Sequence, residues 1–160
     1  GVAPDSLLAF YDVGESGQSY LRLPGLYSHI FPAALAAGAV LHSNSWGSPI
    51  SYCNSWCTDV DSYMEDHPEF LVFYAAGNQG STVSAPAMTK NAISVGATGT
   101  GHSSEGEIGS IPSWSGRGPT YDGRYGVDVV APGSYIRSAK ASDNGDTRTC
   151  DTTAMYGTSK

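Results

Sequence analysis

The chain has 160 residues, enough for one domain with a sizeable core and too few for a two-domain enzyme of ordinary size. Eight Lys plus Arg stand against 15 Asp plus Glu, a formal charge of -7 that repels a nucleic-acid backbone or an anionic membrane, so neither is expected as a partner. Only 14% of the residues are charged while 20 Gly and 9 Pro punctuate the chain, the profile of a loop-rich globular protein rather than a disordered one; no apolar run approaches the ~20 residues a membrane helix needs.

In chain order, the opening Gly1-Val2-Ala3-Pro4-Asp5 has neither an initiator Met nor a basic-then-apolar signal layout, so a processed or excised end is expected. A first apolar run, Leu7 to Val13, reads as a strand. Tyr27, Ile30, Phe31 and Ala34 then fall at helical spacing, with Ser28 placed to cap the helix and Pro32 in its first turn, where a missing N–H costs little. The run Ala39 to Ser45 predicts a second strand. Thr58 followed by Asp61 makes a capping-box-like helix start, Val60, Tyr63 and Met64 form its apolar stripe, and Pro68 stops it. Strands are expected again over Phe70 to Ala76, Ala92 to Ala97 and Val127 to Ala131. The central three runs are nearly continuous in apolar or small residues, as strands covered on both faces are. Alternating strand and helix patterns therefore predict an α/β fold of three layers, a mostly parallel twisted sheet with helices on both faces. The stretches 99–112 and 133–157, rich in Gly, Ser, Thr and Asp, read as long connections, which in a compact domain are usually functional.

Ligands of open parallel sheets bind beyond the carboxyl ends of strands. Two such ends carry polar residues beside glycine: Ser43-Asn44-Ser45-Trp46-Gly47 after the second run, and Ala75-Ala76-Gly77-Asn78-Gln79-Gly80 after the third. Gly77 lets the backbone turn and leaves Asn78 over the sheet edge, where its amide can donate to an anion, although Gly-Asn is also an ordinary turn pair. Near the other terminus, Ser159 follows Gly157-Thr158; it is a candidate nucleophile in a sequence that is equally common in plain loops. Cys53, Cys57 and Cys150 make an odd set, so Cys53 and Cys57 form a local bridge or remain two thiols, and Cys53-x-x-x-Cys57 lacks the further ligands of a zinc site. Few Lys and a potential bridge lean toward an extracellular or secretory-pathway location. Asp59, Asp61, Asp143, Asp146 and Asp151 are either a solvated acidic surface or ligands for a structural calcium ion.

The combination is more telling than any part. Gly1-Val2-Ala3-Pro4, Ser43-Asn44-Ser45-Trp46-Gly47, Ala75-Ala76-Gly77-Asn78, Ser84-Ala85-Pro86-Ala87, Asn91 to Ala97, Ser115-Gly116-Arg117-Gly118-Pro119, Asp128 to Gly133 and Gly157-Thr158-Ser159 stand in order and at fitting spacing. From end to end the chain resembles the subtilisin-like serine peptidases, over the part of the catalytic domain from just after the catalytic His to the catalytic Ser. The resemblance implies Ser159 as nucleophile, Asn78 as oxyanion-hole amide, and Ser45, Trp46, Gly47, Ala75, Ala76 and Gly77 as walls of the pocket for the residue before the cleaved bond; Ser16 and Gly17 match the other substrate-pairing segment loosely. It implies a polypeptide substrate and no required cofactor.

The family's Asp and His motifs belong upstream of Gly1 and its serine-bearing helix downstream of Lys160. The chain is accordingly expected to be a partial subtilisin-like domain over 1–160, inactive alone and needing the missing remainder of the peptidase domain. His29, His42, His67 and His102 sit in no family-like context and read as structural or surface residues. The strand that carries the family's Asp would lie between those matching Leu7 to Val13 and Ala39 to Ser45. Without it an apolar sheet edge is exposed, which predicts self-association. The competing reading is a degenerate, non-catalytic subtilase used as a binding module, against which the joint presence of Asn78 and Ser159 argues. A phosphate or carbohydrate binder fits less well, since no phosphate-binding glycine fingerprint is present and the net charge is negative.

Overall fold

A computed structural model describes residues 3–102, 106–140 and 150–160 of the chain; Gly1, Val2, Asp143 and Asp146 of the residues singled out above lie outside the described residues. Its centre is a four-stranded parallel sheet in the order β1 (Leu41–Asn44), β2 (Leu71–Ala75), β3 (Ile93–Thr98) and β4 (Val129–Pro132). The register aligns Asn44 with Tyr74, Ala75 with Val95 and Thr98 with Pro132, so all four carboxyl ends reach one edge. The strands fall where the apolar runs predict them and give the expected α/β fold with a parallel sheet.

The helices begin differently from expectation. A π-helical turn, Leu26–Ile30, runs directly into α1 (Phe31–Ala36), and Gly25 rather than Ser28 occupies the start, with no side-chain cap. Ser28 lies inside the turn and its hydroxyl meets His29 Nδ1 at 2.7 Å. Pro32 stands at the start of α1, where no intrahelical N–H is lost. The second helix, α2 (Ser55–Asp66), starts ahead of Thr58, because Asn54 caps it by accepting from Trp56 N at 3.1 Å. Asp61 therefore makes no capping box; its carboxylate accepts from Thr89 Oγ1 and from Asn91 N, tying the helix to the segment that enters β3. Cys53 and Cys57 are joined in a disulfide at the start of α2, and Cys150 is free and exposed.

Along β2 and its continuation, Val72, Tyr74 and Ala76 are buried while Leu71, Phe73 and Ala75 are half-buried, so one face of the sheet carries the core. Phe31 on α1 packs its ring against His42, Tyr63 and Phe70, and Tyr27 meets Tyr63 edge-on, which gathers α1 and α2 on that face. Among the described residues no helix is long and apolar enough to cross a membrane.

Two expectations fail. Leu7 to Val13 forms no strand: Leu7, Leu8 and Phe10 are 90% or more exposed, and the sheet begins at β1 with Leu41 63% exposed. The run is apolar enough for a strand, but a strand needs a neighbour: beyond one backbone bond from Arg22 N to Val13 O, none of the described segments pairs with it, and none pairs with the outer edge of β1. Conversely, the stretch read as a long connection contains an antiparallel pair, β5 (Ile136–Ala139) and β6 (Thr152–Met155), which carries the chain back toward the sheet edge. Replacing Phe31 by Ala in the intact protein is expected to cost about 3–5 kcal/mol, read as a lowered urea midpoint.

Candidate active site

The carboxyl edge of the sheet holds a cavity of about 250 Å³ lined by Ser45, Trp46, Gly47, Pro49, Ala75, Gly77, Asn78, Gln79, Ser84, Thr158 and Ser159. Local geometry explains how such distant segments meet. After β2 the chain turns at Gly77, whose φ of +105° suits a glycine, and a Cβ there would run into Ser84 Oγ. Ser84 N donates to Ala76 O, and Ser48 and Ala85 exchange backbone hydrogen bonds, so residues 84–85 bind both cavity walls together. The loop ahead of β4 braces the turn from outside through Gly116 N to Gly77 O and Gly80 N to Trp114 O.

The segment bearing Ser159 is anchored to the same edge. Gly133 N donates to Thr98 O at the end of β3, and Gly157 N donates to Gly133 O. Thr158 then closes on the Gly77–Asn78 turn: its N–H donates to Asn78 Oδ1 at 2.9 Å, its hydroxyl donates to the same oxygen at 3.1 Å, and that hydroxyl accepts from Gly77 N at 3.1 Å. Gly157 has a φ of +150°, and a Cβ on it would stand 3.3 Å from Asn78 Nδ2, so this close approach also favours glycine. Ser45 Oγ donates to Ser159 O across the cavity.

Because Asn78 Oδ1 is taken up by two donors from Thr158, the amide orientation is fixed and Nδ2 is left to donate. Ser159 is half-buried, and among the described residues no side chain accepts from its hydroxyl. None of the four histidines lines the cavity. His29 bonds Ser28, His67 pairs with Glu69, His102 stacks on Tyr135, and His42 lies in β1.

Seven of the eight residues singled out for the site thus surround one cavity. The exception is Ala76, which is fully buried with its side chain in the core behind the wall. Ser16 and Gly17 lie in an exposed turn outside the cavity lining, at the tip of the bridge between Gly14 and Leu21. Pro49, Gln79, Ser84 and Thr158 line it without having been singled out. Ser84 was legible as part of a motif but not as a wall, since nothing in sequence spacing brings position 84 back beneath Gly77. Among the described residues no three His, Cys, Asp or Glu gather as a metal site.

With this geometry in view, comparison with known proteins gives a consistent result. The model of the subtilase family, Peptidase_S8, matches residues 1–160, and the chain belongs to that family. It is 28% identical to the serine protease/ABC transporter B family protein tagB of Dictyostelium discoideum over 94% of its own length, and 37% identical to tripeptidyl-peptidase 2 of Caenorhabditis elegans over 91%. It spans 12% of the length of each. Among solved structures, the prenylagaramide maturation protease PagA matches with a TM-score of 0.60 at 24% identity, covering 89% of this chain and 46% of that one. A psychrophilic subtilisin-like protease, Apa1, matches at 0.54 and 21%, covering 72% and 23%. These likenesses support the fold.

Two outcomes test the site's construction. Gly77→Ala is expected to destabilise the intact protein by about 1–3 kcal/mol, and adding Ser84→Gly is expected to recover only part of the loss, since it relieves the contact but not the positive φ; urea midpoints of both variants decide. The second concerns pH. Burial lowers the pKa of His42 below 6.5, so the unfolded chain takes up a proton first as pH falls. The stability this group contributes is present above pH 6.5 and is lost as pH drops from there toward the lowered folded value. His42→Phe is expected to flatten the fall in stability between about pH 7 and pH 5, measured by thermal unfolding.

Proposed function

We propose that the chain supplies the nucleophile, the oxyanion donor and much of the substrate cleft of a serine endopeptidase, with the general base and its orienting acid provided from outside these 160 residues. The observation that carries this reading is the clasp between Thr158 and Asn78, which sets a free amide donor beside the segment that bears Ser159. In the reaction, Ser159 Oγ attacks the scissile carbonyl carbon and gives its proton to the base; the carbonyl oxygen becomes an oxyanion and accepts from Asn78 Nδ2. The intermediate collapses as the base returns the proton to the leaving amine, and water then hydrolyses the acyl-enzyme by the same steps in reverse order.

The extended substrate lies between the segments Ser45 to Gly47 and Ala75 to Gly77, where the small residues Ser45, Gly47, Ala75 and Gly77 let its backbone approach and Trp46 walls the side-chain pocket. The Cys53–Cys57 disulfide supports an extracellular or secretory-pathway location. This reading requires no cofactor, and a structural calcium ion would need ligands beyond Asp59, Asp61 and Asp151, which do not gather as a metal site. No histidine lines the cavity beside Ser159, and the isolated chain is therefore expected to be inactive. Its exposed Leu7, Leu8 and Phe10 and the open edge of β1 favour association with the remainder of the peptidase domain or, in its absence, with further copies of the chain.

In the intact protein, a serine-directed phosphonate is expected to label Ser159, and Ser159→Ala to abolish both labelling and peptide cleavage. Asn78→Ala is expected to lower kcat by about 10²–10³, as loss of the corresponding amide does in subtilisin. Active-site labelling by mass spectrometry together with peptide turnover decides; adduct elsewhere, or undiminished turnover in Ser159→Ala, overturns the reading. The isolated 160-residue chain is expected to show no turnover and to sediment as associated species, and monodisperse monomer at high concentration would count against the open-edge argument.

A further inference from the structure

The cavity wall is held by a residue that none of the roles above uses. Asn44 ends β1 on the face of the sheet that carries the core and is only 4% exposed. Its carboxamide is fully engaged. Nδ2 donates to the carbonyl of Phe73 at 3.2 Å and lies 2.9 Å from His42 Nδ1, while Oδ1 accepts from Trp46 Nε1 at 3.1 Å. A carbonyl oxygen on one side and an indole N–H on the other permit one orientation of the amide, because the flipped form would set oxygen against oxygen and N–H against N–H. His42 Nδ1 therefore acts as acceptor and the ring carries its proton on Nε2, in keeping with its burial against Phe31 and Phe70.

Trp46 is the aromatic residue of the cavity lining. Tyr74 and Trp56 meet its ring edge-on, with centroids 5.4 and 5.5 Å away, and restrain it sideways. Those contacts are apolar and leave the indole free to slide or turn in its own plane; the bond to Asn44 supplies the directional restraint. Without that acceptor the half-buried indole N–H would lose its partner, and the ring would gain by moving toward water, which means into the cavity.

We propose that Asn44 is a positioning residue for the substrate side-chain pocket: by fixing the Trp46 indole it sets how the cleft discriminates between large and small residues before the cleaved bond. This rests on the reading of the cleft as the peptide site. A large side chain in the pocket meets the Trp46 wall, whereas a methyl group does not reach it, so the effect is confined to large side chains.

The test is the ratio of kcat/KM for two peptides that differ only in carrying Phe or Ala before the cleaved bond, measured on the intact protein. Asn44→Leu is expected to lower the Phe-to-Ala ratio about fivefold or more, with the loss falling on the Phe peptide and chiefly on its KM. In a Trp46→Phe background, which has no indole N–H to hold, the same substitution is expected to change the ratio less than about twofold. Should Asn44→Leu not fold, Asn44→Ala carries the same expectation. An unchanged ratio in the Leu or Ala variant, or an equal shift with and without the indole N–H, overturns the proposal while leaving the peptidase reading intact. Wild-type protein that neither cleaves peptide nor is labelled at Ser159 overturns the peptidase reading and this inference with it.

Discussion

The cleft depends on one oxygen atom. Asn78 Oδ1 accepts from both the N–H and the hydroxyl of Thr158, and in doing so joins two segments 80 residues apart. The hydroxyl in turn accepts from Gly77 N, so the turn after β2 and the segment bearing Ser159 form a closed ring of hydrogen bonds. Such a ring is worth only a few kcal/mol in net stability. Its importance is directional: it decides which end of the Asn78 amide faces the cavity, and a reversed amide would present an oxygen where the proposed reaction requires a donor.

The ring can close only because the backbone on both sides is glycine. Gly77 turns the chain at a positive φ above Ser84, and Gly157 passes within van der Waals contact of the Asn78 amide. The linkage from Thr98 through Gly133 to Gly157 sets the depth at which the second segment arrives. No lining side chain of the cavity carries a formal charge, in a chain whose net charge is -7. That neutrality matters for an amide donor. Where no nearby carboxylate competes, the amide's partial positive charge acts undiminished on a developing oxyanion, and a fixed dipole needs no reorganisation when the charge appears.

How much of this was legible in the sequence depends on whether the determining contacts are local. The four sheet strands were legible because buried parallel strands are marked by apolar runs, and the two turns at the cavity were legible because Gly77-Asn78 and Gly157-Thr158-Ser159 each carry their own punctuation. Leu7 to Val13 has the same apolar signature and forms no strand, since periodicity reports what a segment can bury and not whether a neighbour is present. β5 and β6 were missed for the opposite reason: they are four residues each, half-exposed, and set among Gly, Ser and Asp. Asn54 displaced Thr58 as cap because capping depends on the φ and ψ of the preceding residue, which a spacing pattern does not encode. Ala76 and Ser84 exchanged places at the cavity through the simple alternation of a strand: odd positions face the pocket, Ala76 faces the core, and a distant segment fills the gap.

The two ends of β1 connect these themes. Its outer edge pairs with none of the described segments and its first residue, Leu41, is largely exposed, while its last residue, Asn44, is buried and leads directly into Ser45 and Trp46 of the cavity wall. Four residues separate a surface that water solvates from a wall that substrate would touch. An all-parallel sheet is ordinarily covered on its faces and paired at its interior strands, and burying a single Leu or Phe side chain is worth about 1.5–3 kcal/mol. Whatever pairs with that edge therefore restricts β1 along its length and, through Asn44, the indole at the pocket. If occupation of the edge tightens the wall, then order in the wall must favour occupation of the edge by the same free energy, since linkage is reciprocal.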